Sequence, residues 1–250
     1  MRVVIDAGHG GNDPGAVFEG RKEAEDNLNL AMELGELLRS KGVDVVYTRT
    51  GDTTQTPFEK ATIGNQAGAD LFISLHRNSS PIKGQYSGVE TLVYDDNGAK
   101  AELARRVNAN LTNVGFQDLG VKERPGLVVL RRTNLPAILI ETGFINNPAD
   151  NAIYDEKFNQ IAQEIANAVL SMEDQFQNSK TYRVQIGLYR MFSNAQYALN
   201  QALAKGYDGE IVARDEYYAV LIGNTSSYQQ AQVLEQRLNK EGYDTLIVET

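Results

Sequence analysis

Short apolar runs separated by amphipathic segments fill the first two-thirds of this 250-residue chain. Residues 3–5, 43–48, 71–75, 88–94, 127–130 and 136–140 read as strands. Residues 28–40, 58–67, 100–114 and 158–172 carry apolar positions at helical spacing; Leu30, Leu34, Leu37 and Leu38 are one such stripe. Strands alternating with helices predict an α/β fold with many parallel strands. In such sheets ligands gather outside the carboxyl ends of the strands. That rim is therefore where chemistry is expected.

Three of the apolar runs end on titratable residues. The first leads into the turn Gly8-His9-Gly10-Gly11, the third ends on His76, and the last ends on Glu141. His9 and His76 are the only two histidines in the chain. Glycines around His9 remove side-chain bulk and allow another group to approach closely. If the strands are parallel neighbours, all three side chains converge on one rim. The chain has no cysteine, so thiolate metal sites and a cysteine nucleophile are excluded. Any metal must be held by His, Asp or Glu. Two imidazoles and one carboxylate form a zinc-hydrolase ligand set that leaves a fourth position for water. A further carboxylate then serves as general base. The carboxylates on offer are Asp6, Asp13, Glu23, Glu25 and Glu141. Arg131, paired with Arg132, reads either as a clamp for a substrate carboxylate or as a solvated pair in a loop.

Charge narrows the partners. The net charge is −9, with −8 in residues 1–174 and −1 in 175–250. Neither part has the basic footprint of a nucleic-acid binder. No segment has the ~20 continuous apolar residues of a membrane span. The first strand starts almost at Met1 with no signal peptide before it. The expectation is a protein made in the cytoplasm that acts outside it only after lysis or by non-Sec release.

The motifs, in order, are Ile5-Asp6-Ala7-Gly8-His9-Gly10-Gly11 with Asp13-Pro14-Gly15-Ala16, then Thr48-Arg49, then Ser74-Leu75-His76-Arg77-Asn78, then Ile140-Glu141-Thr142-Gly143-Phe144-Ile145-Asn146-Asn147. With them, residues 3–172 resemble the zinc-dependent N-acetylmuramoyl-L-alanine amidases of the amidase-3 family. The resemblance implies an open, mixed, mostly parallel sheet flanked by helices. It implies one Zn²⁺ bound by His9, His76 and a glutamate between them, with Glu141 as the catalytic acid/base. The family pattern of a Glu before Asn-Leu and a leucine-rich helix selects Glu23 when counted back from Asn27 without gaps; a shift by two selects Glu25. Arg77 and Asn78, which follow His76, and Arg131 are expected to bind substrate. The implied reaction is hydrolysis of the amide joining N-acetylmuramic acid to L-alanine in peptidoglycan. Other zinc hydrolases of the wall (a peptidase or a deacetylase) and a catalytically dead wall-binding protein are the alternatives. A phage endolysin and a bacterial sporulation autolysin both fit, and the sequence does not set the oligomeric state.

Residues 174–181 are polar and read as a linker between a catalytic domain, 1–173, and a second domain, 182–250. Beyond the linker the chain repeats itself at an offset of 36 residues. Tyr182, Val184, Ile186 and Gly187 fall on Tyr218, Val220, Ile222 and Gly223, and Gly206-Tyr207-Asp208 falls on Gly242-Tyr243-Asp244. Each unit reads strand, helix, strand. Two units predict a small α+β, ferredoxin-like β-α-β-β-α-β domain with helices on one face of an antiparallel sheet. Tyr182-Arg183-Val184-Gln185-Ile186-Gly187-Leu188-Tyr189 and its repeat resemble the SPOR family of peptidoglycan-binding modules. That resemblance implies binding to glycan strands stripped of stem peptides, with Gln185 and Tyr189 on the binding face.

Overall fold

In the computed structural model, which describes residues 1–177, 181–225 and 228–250, the chain forms two compact units, Arg2–Phe176 and Gln177–Thr250. The first unit opens with β1 (Arg2–Ala7), the hairpin strands β2 (Val17–Phe18) and β3 (Arg21–Lys22), and helix α1 (Glu23–Ser40). It continues through β4 (Asp44–Tyr47), α2 (Pro57–Gln66), β5 (Leu71–Asn78), β6 (Val89–Val93) and α3 (Gly98–Val114). It closes with β7 (Asp118–Glu123), α4 (Val128–Arg131), β8 (Ala137–Phe144), α5 (Pro148–Glu156), α6 (Phe158–Leu170) and the short α7 (Glu173–Gln177).

Six strands make one sheet in the order β4-β1-β5-β8-β6-β7. β4, β1, β5 and β8 run parallel, β6 runs antiparallel to β8, and β7 is parallel to β6. The central strands read as unbroken apolar runs because both faces are covered. Val4, Phe72 and Leu139 pack against Val129 and Leu130 of α4 on one face. α1, α3 and α6 pack together against the other.

Local chemistry sets the helix ends. Thr56 and Glu59 form a reciprocal capping box at the start of α2, with Pro57 at its first position. Asn147 accepts from the backbone N–H groups of Ala149 and Asp150 to cap α5. Glu23, Glu25 and Asp26 crowd the first turn of α1, where the helix dipole favours negative charge.

Several expectations are corrected. Residues 127–130, expected as a strand, contribute to helix α4; a four-residue apolar run has no periodicity to separate a strand from a buried helical turn. β5 and β8 run on to Asn78 and Phe144, so His76 and Glu141 lie within the ends of their strands rather than beyond them. The expected linker, 174–181, begins within helix α7, where Phe176 is buried; its residues 178–180 lie outside the described residues. Among the described residues no helix is long and apolar enough to cross a membrane.

The second unit runs β9 (Tyr182–Tyr189), α8 (Phe192–Ala204), β10 (Gly209–Arg214), β11 (Tyr217–Thr225), α9 (Tyr228–Lys240) and β12 (Leu246–Glu249). Its sheet order is β10-β11-β9-β12, antiparallel throughout. Val184, Ile186, Val220 and Ile222 meet Ala195, Leu199, Ala202 and Leu238 in one core. The β9–β11 ladder carries two register shifts, one at Ile186 on β9 and one between Ile222 and Thr225 on β11, at neighbouring positions of the two repeats.

Candidate active site

The turn after β1 places His9 at φ 59, a left-handed conformation that costs a non-glycine residue about 1–2 kcal/mol. Such strain persists where the surroundings over-determine it. Two glycines let the neighbours close in. A Cβ on Gly8 would lie 2.4 Å from the His76 ring, and one on Gly15 would lie 2.6 Å from the His9 ring and 2.7 Å from Glu23 Oε2.

His9, Glu23 and His76 converge, each offering one donor atom, with all three atoms within 4.8 Å of one another. His9 Nε2 lies 3.2 Å and His76 Nδ1 lies 2.8 Å from Glu23 Oε1. Donors around a tetrahedral zinc at ordinary bond lengths stand roughly 3.3 Å apart. The set of two imidazoles and one carboxylate therefore fits that metal in donor chemistry and spacing. His9 Nδ1 donates to Asp13 Oδ2 at 2.8 Å, which leaves Nε2 as its donor to a metal. Glu23 Oε2 accepts from the Ala16 N–H, and Oε1 from the Arg77 N–H and the Asn27 side-chain amide. Glu25, two residues along the helix, is exposed and pairs with Lys22. Positions i and i+2 of a helix face different ways, so only Glu23 reaches both histidines.

The electrostatics follow from this crowding. Burial works against a charged His9 ring, but the Glu23 and Asp13 carboxylates outweigh it and push the ring up to about 9. Burial would raise Glu23, yet His76 and His9 hold it far below the usual carboxylate range. Glu141 goes the other way. Burial pushes it up to about 7, and the Glu23 and Glu90 carboxylates add to the rise while His76 and His9 oppose it. Glu141 stands opposite His76 on β5 and Glu90 on β6 in the ladder, so all three share one face of the sheet. Its Oε2 is buried with no hydrogen-bond partner among the described residues.

Beside the histidines lies a cleft of about 270 Å³ walled by Pro57, Leu127, Val128 and Val129. The Arg77 side chain does not reach this site, although its backbone N–H donates to Glu23. Strand alternation turns it to the face opposite His76. There it is buried, pairs with Asp26, donates to Asn151 and stacks on the Tyr154 ring at 4.0 Å. Asn78 does stay at the rim, donating to Glu90 at 2.9 Å. Arg131 is exposed at the end of α4 and borders a separate cavity with Tyr94, Lys100 and Asn134. In the second unit, Gln185 stays on the sheet face away from the helices. The bulge after it reverses the alternation, so Tyr189 packs against the core and Leu188 is exposed instead. Gln185 through Tyr189 border an open groove of about 410 Å³ with Asp244, Thr245 and Leu246.

Glu90 and Lys60 lie outside the residues the sequence points to, and Arg49 enters its motifs with no role attached. Glu90 had a signal, an acid inside an apolar strand. Lys60 had none, because a lysine on an amphipathic helix reads as solvated. In the structure it is buried and pairs with Asp6 at 2.8 Å.

Comparison with known proteins identifies the family. The model of the family described as N-acetylmuramoyl-L-alanine amidase matches residues 3–171, and that of the SPOR domain matches 178–249. A sporulation-specific N-acetylmuramoyl-L-alanine amidase of Bacillus subtilis (strain 168) is 34% identical over 86% of this chain and 86% of the relative. An endolysin of Bacillus phage SPP1 is 33% identical over 67% of this chain and 64% of its own length. Among solved structures, an N-acetylmuramoyl-L-alanine amidase from Clostridium difficile 630 superposes with a TM-score of 0.65 at 36% identity, covering 69% of this chain and 96% of that one.

Proposed function

Because the chain belongs to the N-acetylmuramoyl-L-alanine amidase family and carries a SPOR domain, we propose that it cleaves the bond between N-acetylmuramic acid and the L-alanine of the stem peptide with a zinc ion held by His9, Glu23 and His76. The convergence of those three donor atoms carries the metal reading. A zinc ion bound there would supply an activated water and polarise the amide carbonyl. Glu141 takes the water proton on its unpartnered carboxylate oxygen and delivers it to the leaving alanine nitrogen. Its position near neutrality suits both halves of that task, since a group that accepts and then returns a proton works best with a pKa near the working pH. Asp13 fixes the His9 tautomer. The apolar wall of Pro57, Leu127 and Val128 limits water beside the scissile bond.

The SPOR domain holds the enzyme on peptidoglycan. Tethering a weak wall binder to a hydrolase raises the enzyme's effective concentration on an insoluble substrate. Glycan strands already stripped of stem peptides are the proposed ligand, with Gln185 on the contact face. Mass spectrometry of purified peptidoglycan digested with and without chelator tests the reading. The expected products are new alanine amino termini and intact glycan, lost on chelation and restored by zinc. Free acetate would make the enzyme a deacetylase, and cleavage inside the stem peptide would make it a peptidase.

A further inference from the structure

Thr48-Arg49 is a matched stretch with no part in the chemistry above. Arg49 is 4% exposed. Its guanidinium is charged at all relevant pH, yet it forms no ion pair with a carboxylate among the described residues. It donates instead to main-chain carbonyls: Nε to Ala7 O at 3.0 Å, Nη1 to Gly51 O at 3.1 Å, and Nη2 to Gly8 O at 2.9 Å and to Ala24 O at 2.8 Å. A buried cation is costly unless such partners compensate it. Their identity is informative. Ala7 and Gly8 lead directly into His9, and Ala24 follows Glu23. One nitrogen, Nη2, touches both segments. The fit is close, since a Cβ on Gly10 would lie 2.9 Å from Arg49 Nε.

We propose that Arg49 is a positioning residue of the metal centre, its guanidinium fork fixing the spacing between the His9 turn and the first turn of α1 that carries Glu23. This rests on the metal reading above. The planar fork matters as much as the charge. A lysine ammonium on a flexible stem has no fixed geometry with which to bridge the two segments.

The test measures zinc affinity of the full chain by competition with a chromophoric chelator. Arg49→Met and Arg49→Lys are each expected to bind zinc 10–100-fold more weakly, the range seen when outer-sphere partners of metal ligands are removed. At saturating zinc, the KM for soluble muropeptides should not move. Asn108→Ala serves as the comparison. It breaks the Thr91–Asn108–Asp118 hydrogen bonds on the β6–β7 side and should lower thermal stability without lowering zinc affinity. Arg49→Lys keeps the buried charge and carries the measurement alone should Arg49→Met fail to fold. Wild-type affinity in the folded Arg49 variants, or an equal loss in Asn108→Ala, overturns the proposal. A wild-type chain that binds no zinc overturns the metal reading itself, and the proposal with it.

Discussion

Glu141→Gln separates two roles of one side chain. The buried carboxyl is raised from its ordinary 4.5 to about 7. At ~1.4 kcal/mol per pH unit, keeping it charged in the fold costs on the order of 3 kcal/mol. The sign follows from linkage. The unfolded chain releases this proton near 4.5, whereas the fold keeps it until about 7, so the native state binds more protons between those values. The stability associated with the protonated form is complete below 4.5 and is lost as pH rises through 7. Glutamine cannot ionise. Its advantage over wild type should therefore be near zero at pH 4 and on the order of 3 kcal/mol at pH 8. Urea unfolding of both proteins in chelator, followed by circular dichroism at the two pH values, measures that difference. With zinc restored, the same variant should turn over muropeptide 10²–10⁴-fold more slowly and bind zinc as wild type does. A stability difference independent of pH would refute the burial argument. Near-wild-type hydrolysis would remove Glu141 from the chemistry.

Three further outcomes follow from the geometry. Asp13→Asn weakens the acceptor for His9 Nδ1 and should lower zinc affinity 10–100-fold, read by chelator competition. Arg77→Met removes one partner of a buried ion pair and should destabilise the first unit by about 3 kcal/mol in urea unfolding while leaving the KM for muropeptide unchanged. A chain ending at residue 176 should keep its turnover on soluble muropeptides and lose binding to whole sacculi in a pull-down; equal binding by both lengths would remove the targeting role.

Much of this architecture is legible in the sequence because apolar periodicity reports burial directly. The strand runs ending near His9, His76 and Glu141 sit on adjacent strands, as parallel neighbours must for their side chains to share a rim. What periodicity cannot report is hydrogen bonding at an edge. β7, with the sequence Asp-Leu-Gly-Val-Lys-Glu, is only partly buried and has too little apolar pattern to be read as a strand. Arg77 was misplaced although the information was present: a residue next to His76 in a strand must face the other way. Arg131 reads in the sequence as a carboxylate clamp or a solvated pair, and the folding of residues 128–131 into a helix puts it beside a different cavity. Glu23 and Glu25 are chemically equal in the sequence. Helical rotation separates them.

The two bulges of the second unit constrain how its sequence can change. Gly187 pairs with Val220 on one side of the first bulge, and Gln185 with Leu221 on the other. Past the second bulge, Tyr182 pairs with Thr225 and the original register returns. One strand's extra residue is thus cancelled by the other's. Deleting Ile186, the extra residue of the first bulge, would remove one core side chain yet leave the pairs on both flanks as they are. A single-residue deletion within a regularly paired flank would instead slide the rest of that strand by one position and turn its core side chains outward. In evolutionary terms the two bulges are the places where these strands can lose a residue without losing their register.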